Sequence, residues 1–278
     1  MDKKIIMITG VTSGIGLESA RVLLEKGYDV IGVSRNYKKE AEARKYLGKD
    51  FVFIHGELSS KKSQEEIASK AKAYLNGRGL DVLVNNAGTF FSKREESLDG
   101  IEMQLAVNAF APLYLSLLLY KELSMKNGRV INVTSSSHYN TIIKWRDLQL
   151  TNNYNQLKAY KQSKTLSILL SREFNEMSKN IKTYMADPGL VSTDMGFKNT
   201  TTISQLVWKI RKLQGRPVGE GAKTTIYLAT KADKSNAMYY KYCKSKKSSI
   251  KSRNRENQKR IWAYFIDVFG VDPTDFLG

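Results

Sequence analysis

Residues 9–16 read Thr-Gly-Val-Thr-Ser-Gly-Ile-Gly and stand between an apolar run at 5–8 and a segment of helical period. Gly10 permits a tight exit from a strand, and Gly14 lets backbone N–H groups approach a pyrophosphate. Gly16 allows close packing at a helix N-terminus, whose dipole favours that anion. The spacing differs from the dinucleotide-binding pattern G-x-G-x-x-G, and an ordinary glycine-rich turn would also fit this segment taken alone. Its position between a strand and a helix favours a phosphate-binding turn.

The same alternation of strand and helix continues along the chain. The strands predicted from short, β-branched runs are 5–9, 29–33, 51–54, 81–84, 129–134 and 181–186. The helices predicted between them are 15–25, 38–46, 63–75, 98–122 and about 160–176. Several of the runs are apolar throughout, which indicates strands that are covered on both faces. We therefore predict an α/β protein with a doubly wound parallel sheet of the Rossmann type, right-handed crossovers and three α/β/α layers.

The composition indicates one globular domain over residues 1–278. With 41% hydrophobic and 10% aromatic residues the chain is not globally disordered, and its 4 prolines form no linker. The longest apolar stretch, 105–120, is interrupted by Asn108 and Pro112 and is shorter than the ~20 residues that span a bilayer, so we expect no membrane span. The single Cys243 and 2 histidines are too few for a disulfide or a structural zinc. This usage predicts no metal site and a reducing, cytoplasmic location.

The residue after the second predicted strand bears on the choice of cofactor. The strand ends Val33-Ser34-Arg35, where a site that prefers NAD carries an acidic residue to hold the ribose 2′-hydroxyl. Arg35 can instead pair bidentately with a 2′-phosphate, with Lys38 or Lys39 in support. A solvated surface arginine is the alternative in a chain this basic. The sequence therefore favours NADP(H) over NAD(H).

Further motifs complete a set. They are Asn85-Asn86-Ala87-Gly88 after the fourth strand, Asn108 in the long helix, Ser135 after the fifth strand, Tyr160-x-x-x-Lys164, and Pro188-Gly189 after the sixth strand. Together with the glycine-rich turn, these motifs stand in the order that the short-chain dehydrogenase/reductase family uses. The chain resembles that family over nearly its whole length.

The tyrosine and the lysine have a chemical relation that does not depend on the resemblance. Tyr160 and Lys164 are four residues apart, so they lie one turn apart on the same helix face. An ammonium near the phenol favours the phenolate and moves the phenol pKa from ~10 toward the range that proton transfer needs. Tyr160 then protonates a carbonyl oxygen or deprotonates an alcohol, while Ser135 donates a hydrogen bond to that oxygen. Ser136 is the alternative to Ser135.

The resemblance implies roles for other motif residues. Lys164 would also bind the nicotinamide ribose, and Asn108 would hold a water in a proton relay. Thr193 would hydrogen-bond the nicotinamide carboxamide, unless it is a plain helix N-cap. Glu57 stands where many members carry Asp to contact adenine, which leaves that contact open. His138 is predicted to be a satisfied loop residue, with a place in the pocket wall as the alternative.

These assignments give two sets of site residues. The catalytic residues are Asn108, Ser135, Tyr160 and Lys164. The cofactor-binding residues are Gly10, Thr12, Ser13, Gly14, Ile15, Gly16, Arg35, Leu58, Asn86, Ala87, Gly88, Tyr160, Lys164, Pro188, Gly189, Val191 and Thr193.

The separation between the serine and the tyrosine indicates one branch of the family. Ser135 and Tyr160 are 25 residues apart, which is longer than in many members, and Ser-His-Tyr follows the first two serines of the cluster. These features resemble the retinol dehydrogenase, WW-domain oxidoreductase and protochlorophyllide reductase branch. The resemblance implies a small carbonyl or alcohol substrate, partly apolar, bound by a loop at about 190–217 and by the insertion around Trp145. Within that loop, 203–210 is predicted to form a lid helix or a surface helix. The resemblance also implies a homo-oligomer.

A different class of function competes with this one. The net charge of the chain is +18, and residues 231–260 carry 11 Lys or Arg against Asp233 and Glu256. A catalytically idle protein of the same fold could bind an anionic partner through this basic C-terminal segment. The simpler interpretation is a solvated face beside a short last strand formed by Tyr239 and Tyr240. We expect no specific nucleic-acid binding.

Overall fold

The computed structural model describes residues 3–191, 215–231 and 238–277. Its strands are β1 (Ile5–Thr9), β2 (Asp29–Ser34), β3 (Val52–His55), β4 (Val82–Asn85), β5 (Arg129–Val133), β6 (Lys182–Asp187), β7 (Tyr239–Lys241) and β8 (Lys244–Ser245). They form one sheet in the order β3-β2-β1-β4-β5-β6-β7-β8, in which each neighbouring pair is parallel except β7 and β8. No predicted strand bound differs from the observed one by more than one residue. The predicted lid at 203–210 and Thr193 lie outside the described residues.

Helices cover both faces of the sheet. They are α1 (Gly14–Glu25), α2 (Tyr37–Leu47), α3 (Lys61–Leu75), α4 (Met103–Leu105), α5 (Ala111–Leu118), α6 (Tyr120–Ser124), α7 (Gln156–Met177), α8 (Val218–Thr230), α9 (Ile250–Arg253), α10 (Arg255–Phe269) and α11 (Thr274–Leu277). One hydrophobic cluster includes side chains of α3, α5, α7 and α10, and another includes side chains of α1, α2 and α8. The predicted doubly wound parallel sheet is confirmed.

Strand β1 shows why the sequence takes this form. Ile5 and Met7 belong to the cluster on one face, and Ile6 and Ile8 belong to the cluster on the other. All five residues of the strand are buried, as an apolar run covered on both sides requires. Because β1 lies between β2 and β4, the chain direction across the sheet reverses beside it. Such a reversal leaves a crevice at the carboxyl ends of the strands.

The continuous helix predicted at 98–122 is wrong in its start and its regularity. The helix begins at Met103 because the Glu102 carboxylate accepts hydrogen bonds from the first free N–H groups of α4. A wide π-helical turn at Ala106–Phe110 then joins α4 to α5. Pro112 has no N–H to donate to the carbonyl of Asn108, so the ordinary helical ladder is interrupted at this point.

Helix α10 closes the core on the side of α5 and α7. Its residues Phe265 and Phe269 are buried, and their rings pack edge-on against Phe110 at 5.1 Å and Tyr114 at 5.0 Å between centroids. Helix α10 therefore begins within the basic C-terminal segment and continues beyond it into the hydrophobic core. Among the described helices, none combines the length and apolar character that a bilayer crossing needs.

Candidate active site

A cleft of about 410 Å³ opens at the carboxyl ends of the parallel strands. Among the residues that the structure describes, those that line the cleft come mainly from the loops after β1 to β6 and from α7. The predicted site residues that line it are Gly10, Thr12, Ser13, Gly14, Ile15, Arg35, Leu58, Asn86, Ala87, Gly88, Ser135, Tyr160, Lys164, Pro188, Gly189 and Val191. Gly16 and Asn108 do not line the cleft, and Thr193 is outside the described residues. Residues that are far apart in the sequence thus share one cavity.

The glycine-rich turn leaves no room for side chains. Gly10 and Gly14 have φ angles of +73° and +57°, a region that residues with a Cβ rarely adopt. A Cβ on Gly16 would lie 2.3 Å from the Gly10 carbonyl oxygen and 2.4 Å from the amide nitrogen of Asn86. The turn therefore needs glycine at these positions for steric reasons.

Thr9 and Asn86 join the turn after β1 to the turn after β4. The Thr9 hydroxyl accepts hydrogen bonds from the backbone N–H groups of Asn86 and Ala87, each at 3.0 Å. The Asn86 side chain donates to the Thr9 carbonyl at 2.9 Å. Sequence reasoning gave no role to Thr9, although a threonine at the end of an apolar strand was a visible signal. These bonds hold the two walls of the crevice together.

The glycine end of the cleft fits a pyrophosphate. The first turn of α1 carries no acidic side chain, and the Ser13 side chain does not cap it. The first N–H groups of a helix have no intrahelical partners, and here they adjoin a cleft wall formed by Ser13, Gly14 and Ile15. Within residues 3–191, 215–231 and 238–277, no group of three or more His, Cys, Asp or Glu side chains could hold a metal ion.

Arg35 and Glu57 form an ion pair at the mouth of the cleft. Their side chains are 3.2 Å apart, and 58% of the Arg35 side chain and 38% of the Glu57 side chain are exposed. Both residues line the cleft. Glu57 thus faces the arginine that was predicted to bind a 2′-phosphate, a relation that the sequence did not indicate.

Among the three consecutive serines, Ser135 and Ser136 have different hydrogen-bond partners. The Ser135 hydroxyl lies in the cleft wall, accepts a hydrogen bond from the Ser137 N–H at 3.2 Å and donates to the Ser137 hydroxyl at 3.0 Å. Ser136 instead donates to the buried carboxylate of Asp187 at 2.5 Å and accepts from Lys241 at 2.8 Å. The geometry therefore favours Ser135 over Ser136 as the residue that can meet a ligand.

Asp187 organises the turn beside these serines. It is fully buried, and besides Ser136 it accepts hydrogen bonds from the Tyr239 hydroxyl at 2.5 Å and the Gly189 N–H at 2.8 Å. The Lys241 ammonium lies 4.0 Å from the carboxylate. Gly189 has a φ angle of +75°, a region that residues with a Cβ rarely adopt, so this turn also favours glycine. Sequence reasoning missed Asp187, whose signal is an acidic residue that ends an apolar strand.

Tyr160 and Lys164 lie in consecutive turns of α7. The Lys164 ammonium donates to the Val133 carbonyl at 3.0 Å and lies 5.9 Å from the centroid of the Tyr160 ring. The Tyr160 ring packs edge-on against Phe90 at 5.6 Å between centroids. Because Lys164 is buried, desolvation of its charged form lowers its pKa to about 8. A cation at this position is therefore close to its titration point in ordinary buffers.

Asn108 has a different environment from that of the other predicted catalytic residues. Its side chain accepts from the Thr89 N–H at 2.8 Å and donates to the Thr89 carbonyl at 3.0 Å and the Ser163 hydroxyl at 3.1 Å. It is buried within the π-helical turn. The amide group holds the loop after β4 against α7, behind the wall that Thr89 and Phe90 form.

The insertion around Trp145 was expected to contact the substrate, and this contact stays a prediction. Among the described residues that line the cleft, none comes from 144–155. Gln162 of α7 instead accepts from the Lys144 N–H at 2.8 Å and donates to the Leu148 carbonyl at 2.9 Å. Trp145 packs on the core and stacks with Arg260 at 4.5 Å. The insertion is a packed surface layer.

Comparisons with known proteins identify relatives of the chain. The family model described as short chain dehydrogenase matches residues 4–203. Human retinol dehydrogenase 12 is 29% identical over 279 residues, which cover 96% of this chain and 87% of that protein. The chloroplastic short-chain dehydrogenase TIC 32 A of Brassica napus is 34% identical over 82% of this chain and 76% of that protein.

Solved structures share the fold. A putative uncharacterized protein from Mycobacterium paratuberculosis superposes with a TM-score of 0.76 at 23% sequence identity and covers 97% of this chain and 94% of that one. The predicted resemblance to retinol dehydrogenases is confirmed by the sequence relatives. From the family model and these relatives we conclude that the chain belongs to the short chain dehydrogenase family.

Proposed function

We propose that this protein is an NADP(H)-dependent oxidoreductase that interconverts a carbonyl compound and an alcohol. One observation carries the proposal: Ser135, Tyr160 and Lys164 share a single cleft with the glycine-rich turn and Arg35. Acid–base side chains and a phosphate-binding turn are the two parts that nicotinamide-dependent reduction needs in one cavity. The cofactor-binding and catalytic roles predicted from the sequence for the other residues of this cleft are part of the same proposal.

The cofactor would lie along the cleft from Arg35 to Lys164. The pyrophosphate would meet the N–H groups at the start of α1, and the nicotinamide ribose would meet the Lys164 ammonium. The backbone around Ala87 and Gly189 would border the cofactor between these points. When bound, the nicotinamide supplies or accepts the hydride.

The proton chemistry falls to Tyr160. In the reducing direction its hydroxyl gives a proton to the carbonyl oxygen, and in the oxidising direction its phenolate takes the proton from the alcohol. The positive charge of Lys164 favours the phenolate. Ser135 donates a hydrogen bond to the substrate oxygen, where negative charge develops during reduction.

Part of the described cleft wall is apolar. Phe90, Val107, Leu190 and Val191 line the cleft together with Tyr160. Such a wall favours a substrate with an apolar body and one polar reacting group. This supports an apolar ketone, aldehyde or alcohol as the substrate class.

The preference for NADP(H) rests on Arg35. Arg35 lines the cleft just after the end of β2, where a 2′-phosphate would lie. A site that prefers NAD carries an acidic residue at this position, and this chain has none there. Glu57 shares that corner and would repel the same phosphate. The preference should therefore be moderate, because one cation attracts the phosphate and one anion opposes it.

The test is a panel of apolar ketones, aldehydes and alcohols followed by the absorbance of NADPH. We expect turnover by the native chain. Tyr160→Phe should lower kcat by about 1,000-fold, because it removes the proton donor. NADPH affinity, measured by fluorescence titration, should stay within about twofold, because the substitution removes a group that acts in the chemical step. Tyr46→Phe, at an exposed position, is the matched control.

Two results would contradict the proposal. Undiminished turnover by Tyr160→Phe would remove the role of Tyr160. NADPH binding without turnover of any compound on the panel would instead favour the idle protein that binds an anionic partner through residues 231–260.

A further inference from the structure

The turn that carries Ser135 is attached to a distant part of the chain. We define the C-terminal clamp as residues 238–253, which contain β7, β8 and α9. Four hydrogen bonds join the clamp to the turn at 135–141: Lys241 Nζ to Ser136 Oγ at 2.8 Å, Tyr139 OH to the Lys247 carbonyl at 2.7 Å, Ser249 N to His138 Nε2 at 3.1 Å, and Lys251 Nζ to the Thr141 carbonyl at 2.8 Å. The turn is therefore held by residues about 100 positions later.

His138 is the member of this set that also contacts Ser135 itself. Its Nδ1 lies 2.8 Å from the Ser135 carbonyl oxygen, and its backbone N–H donates to the same oxygen at 3.2 Å. The ring is completely buried, and its Nε2 faces the Ser249 N–H. The imidazole thus connects the clamp to the residue whose hydroxyl lines the cleft.

The partners of the ring determine its protonation. A carbonyl oxygen only accepts, so Nδ1 carries the proton, and a backbone N–H only donates, so Nε2 carries none. Burial lowers the pKa of His138, which agrees with a neutral ring. The charged groups that act on the ring are Asp187, Lys241 and Arg172, and the rings of Tyr139 and Tyr239 pack beside it.

The position of the Ser135 hydroxyl depends on the backbone that this ring holds. Ser135 caps the short 3-10 turn in an extended conformation with φ of −155° and ψ of 145°. If the Ser135 carbonyl turns, the peptide unit between Ser135 and Ser136 turns with it. The Ser137 N–H that orients the Ser135 hydroxyl then moves as well.

We propose that His138 is a positioning residue for the Ser135 hydroxyl and that Ser249 of the C-terminal clamp sets the position of its ring. The inference rests on the proposed function of Ser135. It assigns part of the basic C-terminal segment to the support of the catalytic turn. His138 touches neither substrate nor cofactor in this scheme and acts through Ser135.

Two substitutions at His138 separate the bond to Ser135 from the bond to Ser249. In His138→Asn the side-chain NH₂ group can replace Nδ1–H and donate to the Ser135 carbonyl, but the contact with Ser249 is lost. In His138→Gln the side-chain oxygen can replace Nε2 and accept from the Ser249 N–H, but the contact with Ser135 is lost. Lys251→Met is the control, because it removes a clamp contact that does not involve Ser135.

The expected results are changes in kcat for NADPH-dependent reduction. Because misplacement by about 1 Å costs on the order of 100-fold, His138→Gln should lower kcat by about 30-fold and His138→Asn by about threefold. Lys251→Met should lower the melting temperature without lowering kcat. The kcat values are compared at about 20 °C so that every variant stays folded. NADPH affinity should be unchanged in all three variants.

Equal losses of kcat in the Asn and Gln variants, or losses that follow melting temperature across all three variants, would overturn the inference. Absence of turnover by the native chain on the carbonyl panel would instead overturn the proposed function. If neither His138 variant folds, histidine ¹⁵N spectra of the native chain decide, since the chain has only 2 histidines and His55→Gln assigns them. The His138 signal should show the Nδ1–H form and shift when a substrate analogue fills the cleft; no shift would overturn the inference.

Discussion

At the glycine end of the cleft, formed by residues 9–16 and 85–88, the close approach of backbone atoms is decisive, whereas at the serine end a network of hydrogen bonds between distant residues is decisive. The glycine end joins the loops after β1 and β4, with contacts such as that of the Thr9 hydroxyl and the Asn86 N–H. The serine end, formed by residues 133–139, 160–164 and 187–189, is held by the C-terminal clamp. The first end is determined by sterics in short motifs and the second by polar contacts between distant residues. A substitution at the glycine end should therefore disrupt folding or cofactor binding outright. A substitution at the serine end should lower activity by an amount that depends on the contact it removes.

The largest effect should come from Gly16→Ala at the glycine end. The added methyl group would lie 2.3 Å from the Gly10 carbonyl oxygen, which is backbone and cannot turn aside. We expect the variant to lose about 3 kcal/mol of unfolding free energy, or to fail to fold, through overpacking. Thermal unfolding and NADPH titration measure both consequences.

Gly219→Ala provides the comparison for that variant, since its nearest neighbour, the Glu18 carboxylate, would lie 3.7 Å from the new methyl group. It should fold and bind NADPH like the native chain. If Gly16→Ala behaved in the same way, the steric account of the glycine end would be wrong.

Lys164→Met should have the next largest effect and should move activity and stability in opposite directions. Turnover should be lost with the charge that supports Tyr160. Burial holds the pKa of Lys164 at about 8, below the ordinary lysine value of 10.5, so the folded state bears the cost of a desolvated charge at neutral pH. Removing it should raise the unfolding free energy at pH 7 by about 2 kcal/mol, since each pKa unit corresponds to 1.36 kcal/mol and the bond to the Val133 carbonyl is lost.

The pH dependence tests the same point. Between about pH 8 and 10.5 the unfolded chain binds the lysine proton more tightly than the folded chain, so native stability should rise with pH in this window. Lys164→Met should lack this rise, while Lys158→Met, at an exposed position on α7, should keep it. A similar rise in the Lys164→Met variant would refute the assigned pKa shift.

Glu57→Gln should have the smallest effect. The substitution removes the anion paired with Arg35 and leaves the guanidinium free for a 2′-phosphate. Because an exposed ion pair contributes about 0.2–1 kcal/mol, we expect the ratio of NADPH to NADH affinity to rise about threefold. Titration with both cofactors measures this ratio, and the exposed Glu42→Gln serves as control. An unchanged ratio of affinities would mean that Arg35 does not bind the 2′-phosphate.

The sequence predicted the parts of the molecule that short segments determine. Strand β1 was predicted with its observed bounds because Ile6 and Ile8 face one cluster and Ile5 and Met7 the other. The glycine positions followed from local steric rules. The resemblance of the motifs to the family implied that Ser135, Tyr160 and Lys164 belong to one site, and all three line the same cleft.

The parts that were missed depend on residues far apart. Glu57 and Arg35 are 22 positions apart, and nothing in either segment indicates their pairing. His138 and Ser249 are 111 positions apart. The break in the helix at 98–122 arose from a side chain that caps α4 and from Pro112 in the next turn. The packing of the Trp145 insertion depended on Gln162, which a helical pattern marks only as polar.

Helix α10 has a consequence for how the protein is made. Its residue Phe265 follows Phe110 by 155 residues, which a ribosome translates in roughly 8 to 31 s. Until α10 emerges, the aromatic rings of Phe110 and Tyr114 have no partner on that side. The nascent chain therefore presents this surface to the cell throughout this time. A cell that produces the protein must shield these rings from other chains during that interval.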